Sequence, residues 1–131
     1  AQVNHCLKDH VRGYPIVKLL KPESEDYFVL KPKHSAFYST TLDLLLSHLQ
    51  VESLVITGFA TDMCVLFTSN DAYMRDFRVY VPSDCVAANT KQRSEESLAL
   101  MKRVLKADVR PSTKLDLDQL DLQTTTKTPH R

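Results

Sequence analysis

Ser53-Leu-Val-Ile-Thr-Gly-Phe-Ala-Thr-Asp-Met-Cys-Val-Leu-Phe-Thr-Ser-Asn-Asp-Ala-Tyr73 decides the fold of this 131-residue chain. Leu54 to Ile56 form an apolar, partly β-branched run of the kind that makes a strand buried on both faces. Gly58 breaks the run. Thr61 then offers a hydroxyl N-cap, and Met63, Leu66, Phe67 and Ala72 follow at helical spacing. Cys64 therefore falls in the first turn of a helix, just past the carboxyl end of a strand, where open α/β sheets bind their ligands. The unpaired amides and positive dipole end of a helix stabilise a thiolate there. Position alone leaves two readings, because a free cysteine is commonly a small buried hydrophobe.

A second segment separates them. Tyr27-Phe-Val-Leu-Lys-Pro-Lys-His-Ser-Ala-Phe37 reads as another short buried strand that ends on Lys31, with Pro32 stopping the ladder. Parallel neighbouring strands would bring Lys31 and Cys64 out on the same sheet edge. A cation beside a thiol favours the thiolate and makes a better nucleophile at neutral pH.

Outward from these segments, the pattern predicts an amphipathic helix over 1–12 on Val3, Leu7 and Val11, and a helical turn over 14–20. Strand 27–31, helix 41–50, strand 53–58, helix 62–75, strand 77–82 and helix 91–106 follow. Val109 is assigned to a last edge strand and Asp116 to Leu120 to a helical turn. Strands alternating with helices of this length predict a parallel sheet with right-handed crossovers. One domain over 1–120 is expected, with 121–131 a polar, aperiodic and disordered tail. Only two glycines serve all these turns, which gives Gly58 weight in the backbone geometry.

Lys31-Pro-Lys-His-Ser-Ala-Phe37, then Thr41-Leu42, Gly58-Phe-Ala-Thr-Asp-Met-Cys-Val65, Thr68-Ser-Asn-Asp-Ala72 and Ser83-Asp-Cys-Val-Ala87 resemble, in order, the isochorismatase-like cysteine hydrolases. The resemblance covers about Tyr14 to Leu120. It implies a three-layer α/β/α Rossmann-like fold with a parallel sheet. It also implies hydrolysis of amides or related C–N and C–O bonds through a covalent Cys intermediate, using an Asp-Lys-Cys triad. Lys31 is then the triad lysine and Cys64 the nucleophile. A cis peptide falls between Phe59 and Ala60, and the backbone amides of Ala60 and Cys64 form the oxyanion hole.

The family's triad Asp ends an early strand, and no stretch here matches it. Asp9 sits on the polar face of the first predicted helix and reads as solvated. The chain reads as a family member without its N-terminal strands, weakly active or inactive for want of its general base. Some members carry an Asp/His metal cluster near that segment. Nothing here supplies one, so no metal and no cofactor is expected.

The remaining candidates each carry two readings. His34 follows Lys31 by three residues and either faces the pocket or is solvated. Phe37 and Phe59 flank the motif residues and either wall the substrate pocket or pack in the core. Asp71 and Asp84 read as structural acids, since a buried carboxylate needs partners. His5, His10 and His48 fall on helical surface, and Cys85 is structural.

Composition bounds the rest. An apolar fraction of 43% suits one globular core, and the net charge of +1 argues against an electrostatic nucleic-acid binder. No apolar run approaches the roughly 20 residues that span a bilayer, so a membrane protein is not expected. Cys6, Cys64 and Cys85 are odd in number, without close pairing or zinc spacing, which suits a reducing cytosol. Three function classes follow: a hydrolase of a small-molecule substrate, a non-catalytic binding or assembly module, and a redox-responsive thiol protein. Retention of both Lys31 and Cys64 favours the first. A sheet short of its first strands would expose a bare edge, so a homo-oligomer is expected.

Overall fold

The computed structural model describes residues 14–120. The helix expected over 1–12, Asp9 within it, and the tail expected over 121–131 lie outside them. In order, the elements are α1 (Tyr14–Leu19), α2 (Leu42–His48), β1 (Ser53–Val55) and β2 (Gly58–Phe59). One turn of π-helix (Thr61–Val65) runs into α3 (Leu66–Tyr73), followed by β3 (Arg78–Tyr80), β4 (Val86–Ala87) and α4 (Lys91–Val104). A 3-10 turn (Ser112–Lys114) and α5 (Leu117–Leu120) complete them.

All pairing is parallel, as the alternation of strands and helices requires. β1 lies beside β3, with Ser53 opposite Arg78, Leu54 opposite Val79 and Val55 opposite Tyr80. β2 lies beside β4, with Gly58 opposite Val86 and Phe59 opposite Ala87. On the far side of β3, Tyr80 makes a parallel bridge to Asp108, one residue before the Val109 expected to mark an edge strand.

The expected strand 53–58 is divided in two because its partner is divided. Pro82 is fully buried and has no N–H to continue a ladder. The chain turns there, with Cys85 N–H donating to Pro82 O at 2.9 Å, and pairing resumes at Val86. Two bonds keep the β1–β2 segment aligned across the gap: Ile56 N–H to Tyr80 O at 2.8 Å and Gly58 N–H to Cys85 O at 3.0 Å. Gly58 has φ of +111°, open to a residue without Cβ.

The strand expected over 27–31 does not form. The segment has strand composition, but a strand also needs a neighbour to take its N–H and C=O groups. Among the described residues it has none. Tyr27, Phe28 and Leu30 stand in solvent, Leu30 at 91% exposure, and Val29 is half-buried.

Helix termination is handled without glycine. At the end of α2, Gln50 adopts φ of +53°, with Gln50 N–H donating to Ser47 O at 3.1 Å and Val51 N–H to Leu46 O at 3.0 Å. Asp76 repeats this after α3, at φ of +64°, with Asp76 N–H to Tyr73 O at 3.0 Å and Phe77 N–H to Ala72 O at 3.1 Å. These are Schellman closures, usually completed by glycine. Lys106 takes the same left-handed conformation after α4. Each turn sends the chain directly from helix end into the next extended segment.

The core lies between the strands and helices. Val81 and Met101 are fully buried, with Val65, Ala72, Val79, Leu98, Leu105 and Ala107 around them. Thr90 caps α4, its hydroxyl accepting the Arg93 N–H at 3.3 Å, while Lys102 and Arg103 sit in the last turn beside the negative dipole end.

Candidate active site

Cys64 sits half-buried in the π-turn that starts immediately after β2. The Phe59–Ala60 peptide is cis. Ala60 is extended and precedes the helical residues, and its carbonyl accepts the N–H groups of both Met63 and Val65 at 3.1 Å. Thr61 is not the N-cap that its hydroxyl suggested. It is the first helical residue, fully buried, and its Oγ1 lies 2.9 Å from Ser94 Oγ on α4. The adjacent Asp62 pairs with Arg93 at 2.9 Å. Two successive residues thus fasten the cysteine turn to α4.

A second set of bonds delivers the lysine. Ser35 Oγ donates to the Asp71 carboxylate, and the Phe37 N–H donates to Ser35 Oγ at 3.1 Å. The Ala36 N–H donates to Thr68 Oγ1 at 3.0 Å. Thr68 and Asp71 both lie on α3, so the loop after Lys31 is held against the helix that continues from Cys64. Arg75 closes the other side: its Nε bonds Asp43 at 2.8 Å, its Nη1 bonds Asp71 O at 3.0 Å, and its guanidinium lies 4.7 Å over the Phe37 ring.

With the loop so fixed, Lys31 Nζ lies 3.3 Å from Cys64 Sγ and donates to the Lys33 carbonyl at 3.1 Å. Lys31 is brought to the thiol by the loop alone, without the strand that was expected to carry it. His34 Nδ1 lies 3.9 Å from the same sulfur, with its ring 5.6 Å from that of Phe67. Among the described residues, Lys31 and His34 are the side chains bonded to Cys64, and no carboxylate is.

The remaining candidates separate. Phe37 is buried in the core against Phe77, at 6.0 Å between rings, so the core reading describes it and the pocket reading does not. Phe59 is exposed on β2 next to Ala60. Asp71 has the structural partners described above. Asp84 accepts the Ser112 N–H and Oγ–H, both at 2.7 Å, and these bonds hold its carboxyl below the usual carboxylate range. It is exposed rather than buried. Cys85 lies beside Asp84, with Sγ 3.8 Å from the carboxylate. Among the described residues no group of three His, Cys, Asp or Glu gathers as a metal site would require, and no helix is long and apolar enough to cross a membrane.

The positioning roles of Thr68, Ser94 and Arg93 were not read from the sequence. Each acts across some thirty residues of chain, and a hydroxyl or guanidinium on a helix carries no local signal of such a partner.

Fold and site together define an α/β protein with parallel strands that presents a cysteine beside a lysine at a strand-to-helix turn. The isochorismatase domain model matches residues 1–110, and the chain belongs to the isochorismatase family. It is 48% identical over 98 residues to the isochorismatase family protein YaaI of Bacillus subtilis, covering 75% of this chain and 54% of that protein. It is 41% identical over 71 residues to the ureidoacrylate amidohydrolase RutB of Methylorubrum extorquens, covering 54% of this chain and 29% of that one. The crystal structure of the nicotinamidase SaPncA from Staphylococcus aureus superposes with a TM-score of 0.67 at 30% identity, covering 76% of this chain and 63% of that chain. The chain thus spans about half the length of the first of these relatives and less than a third of the second.

Proposed function

We propose that this chain carries the nucleophile half of a cysteine amidase site that opens the C–N bond of a small-molecule amide. The observation that carries the reading is the 3.3 Å contact between Lys31 Nζ and Cys64 Sγ at a helix start. Both the ammonium and the helix N-terminus favour the thiolate. Attack on the amide carbon forms a C–S bond and pushes the carbonyl pair onto oxygen. Backbone amides of Ala60 and Cys64 receive that oxyanion, a contribution of about 3 kcal/mol per donor in comparable sites. The oxyanion pair returns to carbon as the C–N bond breaks, the departing amine takes a proton from solvent, and water then adds to the thioester carbon and breaks the C–S bond to release the acid and the thiol.

The amide class is supported by the names of the relatives: an ureidoacrylate amidohydrolase and a nicotinamidase both act on amides. The family triad also uses an aspartate. None of the described carboxylates bonds Cys64, so the chain is proposed to acylate faster than it turns over. Loss of one triad member elsewhere costs several powers of ten.

Incubation with nicotinamide and with a ureido-acid amide, followed by intact-mass spectrometry and ammonia detection, tests the reading. The expected result is an acyl adduct on Cys64 that is absent in Cys64→Ala. Neither adduct nor ammonia from a folded protein whose Cys64 still reacts with iodoacetamide would overturn the reading for those amides.

A further inference from the structure

Lys31 Nζ is in direct contact with Cys64 Sγ at 3.3 Å, and the proposed hydrolysis uses that nitrogen only as a charge. A lysine nitrogen that has given up a proton is also a nucleophile. The lysine is held in place: Nζ donates to the Lys33 carbonyl at 3.1 Å, and the loop beyond is pinned to α3 by Ser35 on Asp71 and by the Ala36 N–H on Thr68 at 3.0 Å. Cys64 is half-buried and Lys31 exposed, so a small solute reaches the pair from solvent. Accessible thiolates of this kind are the cysteines that peroxides oxidise first.

We propose that Lys31 and Cys64 form a reversible covalent N–S cross-link when a hydroperoxide oxidises the thiolate. The sulfur lone pair takes the terminal oxygen of the peroxide, the O–O bond breaks, and Cys64 becomes a sulfenic acid. The departing hydroxide or alkoxide takes a proton from the adjacent Lys31 ammonium, leaving water or an alcohol and a neutral amine. The amine lone pair then attacks the sulfenic sulfur, the S–O bond breaks, and hydroxide leaves with a second nitrogen proton as water. Sulfur is oxidised by two electrons and the peroxide is reduced by two. A thiol reverses the bond: its sulfur attacks Cys64 Sγ, its proton goes to the departing amine, and a second thiol frees Cys64 from the mixed disulfide.

Position selects the lysine. A sulfenic acid condenses with a nearby thiol or nitrogen. Of the described nitrogens bonded to Sγ, Lys31 Nζ at 3.3 Å is nearer than His34 Nδ1 at 3.9 Å. Cys85, the other described cysteine, lies in the turn before β4 with its sulfur on Asp84. The cross-link consumes nucleophile and cation together, so it silences the site while keeping the sulfur from the irreversible sulfinic acid. It needs a reactive thiolate and no amide substrate, and so does not rest on the amidase reading.

The test exposes the folded protein briefly to a small molar excess of hydrogen peroxide and reads intact mass, then a tryptic map made without reductant. Cys6→Ser/Cys85→Ser, in which Cys64 is the one cysteine left, is expected to lose about 2 Da and to recover its mass in dithiothreitol. Iodoacetamide labelling of Cys64 should fall by about tenfold and return with the reductant. In the map, peptide 19–33, which bears Lys31, should be joined to peptide 34–75, which bears Cys64. Lys31→Arg keeps the cation without a nucleophilic amine, and is expected to gain about 32 Da as a sulfinic acid that dithiothreitol leaves unchanged. Circular dichroism checks folding, and if a variant fails to fold, the joined peptides from oxidised wild type decide. Their absence would overturn the cross-link, as would a loss of about 2 Da that survives Lys31→Arg, or sulfinic acid formed directly in Cys6→Ser/Cys85→Ser. The cross-link without any acyl adduct would uphold this proposal and reject the amidase reading. An acyl adduct without the cross-link would do the reverse.

Discussion

The Ala36 N–H donates to Thr68 Oγ1 across 3.0 Å, tying the loop that carries Lys31 to the helix that continues from Cys64. The two ends of the lysine–thiol contact, 33 residues apart in sequence, are thereby set by one hydroxyl and the neighbouring Ser35–Asp71 bond. Geometry of this kind depends on long-range polar contacts, which makes it testable by small changes.

Thr68→Val keeps the shape of the side chain and removes the acceptor. Leaving a part-buried N–H unsatisfied costs about 1–3 kcal/mol. Urea unfolding should show that loss, and Cys64 alkylation should slow in the still-folded protein as Lys31 loses its register. An unchanged alkylation rate would mean that the loop is held by other contacts.

Cys64 is expected to react with iodoacetamide ahead of Cys85 in the native protein, as read by peptide mapping. Lys31→Ala should slow Cys64 by roughly 3- to 5-fold, since an exposed charge contact is worth about 1 kcal/mol or less. Faster modification of Cys85, or indifference to Lys31→Ala, would remove the cation from the account of the thiol.

Gln50 closes α2 with φ of +53°, a conformation in which a Cβ costs about 1 kcal/mol. Gln50→Gly relieves it while adding freedom to the unfolded chain. A net gain of about 0.5 kcal/mol in chemical denaturation is the expected outcome. Destabilisation would show that the Gln50 side chain supplies more than a turn.

Asp108 is held below its ordinary value of 3.8, first by its hydrogen bonds to Arg110, whose Nη2 lies 2.6 Å away. Asp84 is lowered by the Ser112 backbone and hydroxyl bonds. A carboxylate lowered in the folded state contributes stability that is fully present above its ordinary value. That contribution is lost as pH falls below 3.8 through the lower folded value. Arg110→Ala should therefore lose less stability than the wild type between about pH 7 and about pH 3, measured by urea midpoints. Equal losses would show that Asp108 contributes nothing to acid sensitivity.

Tyr27, Phe28 and Leu30 stand 65%, 72% and 91% exposed. Among the described residues β1 pairs with β3 alone. Exposed apolar side chains and an open strand edge favour association. Size exclusion with light scattering should find the chain self-associated, and Phe28→Glu should shift it toward monomer. A monodisperse wild-type monomer would exclude association through this face.

The sequence by itself determined the parts that are local. Apolar runs and their period placed α2, α3, α4, β1 and β3 within a few residues, because each is selected by side chains three or four positions apart or alternating. The strand–glycine–helix order around Cys64, and a lysine after an apolar run, were legible for the same reason. Tertiary structure decided everything that needed a partner. Residues 27–31 have the composition of a strand and no neighbour to make one. Pro82, just past the end of the neighbouring strand β3, divided the strand expected over 53–58. Thr61 looked like a cap and was instead drawn to Ser94, while Phe37, equally plausible as a pocket wall, was taken into the core beside Phe77. The meeting of His34 with Cys64 belongs to the same class. A hydrogen bond between residues 30 apart leaves no periodic trace in the chain, because only folding brings its two ends within reach.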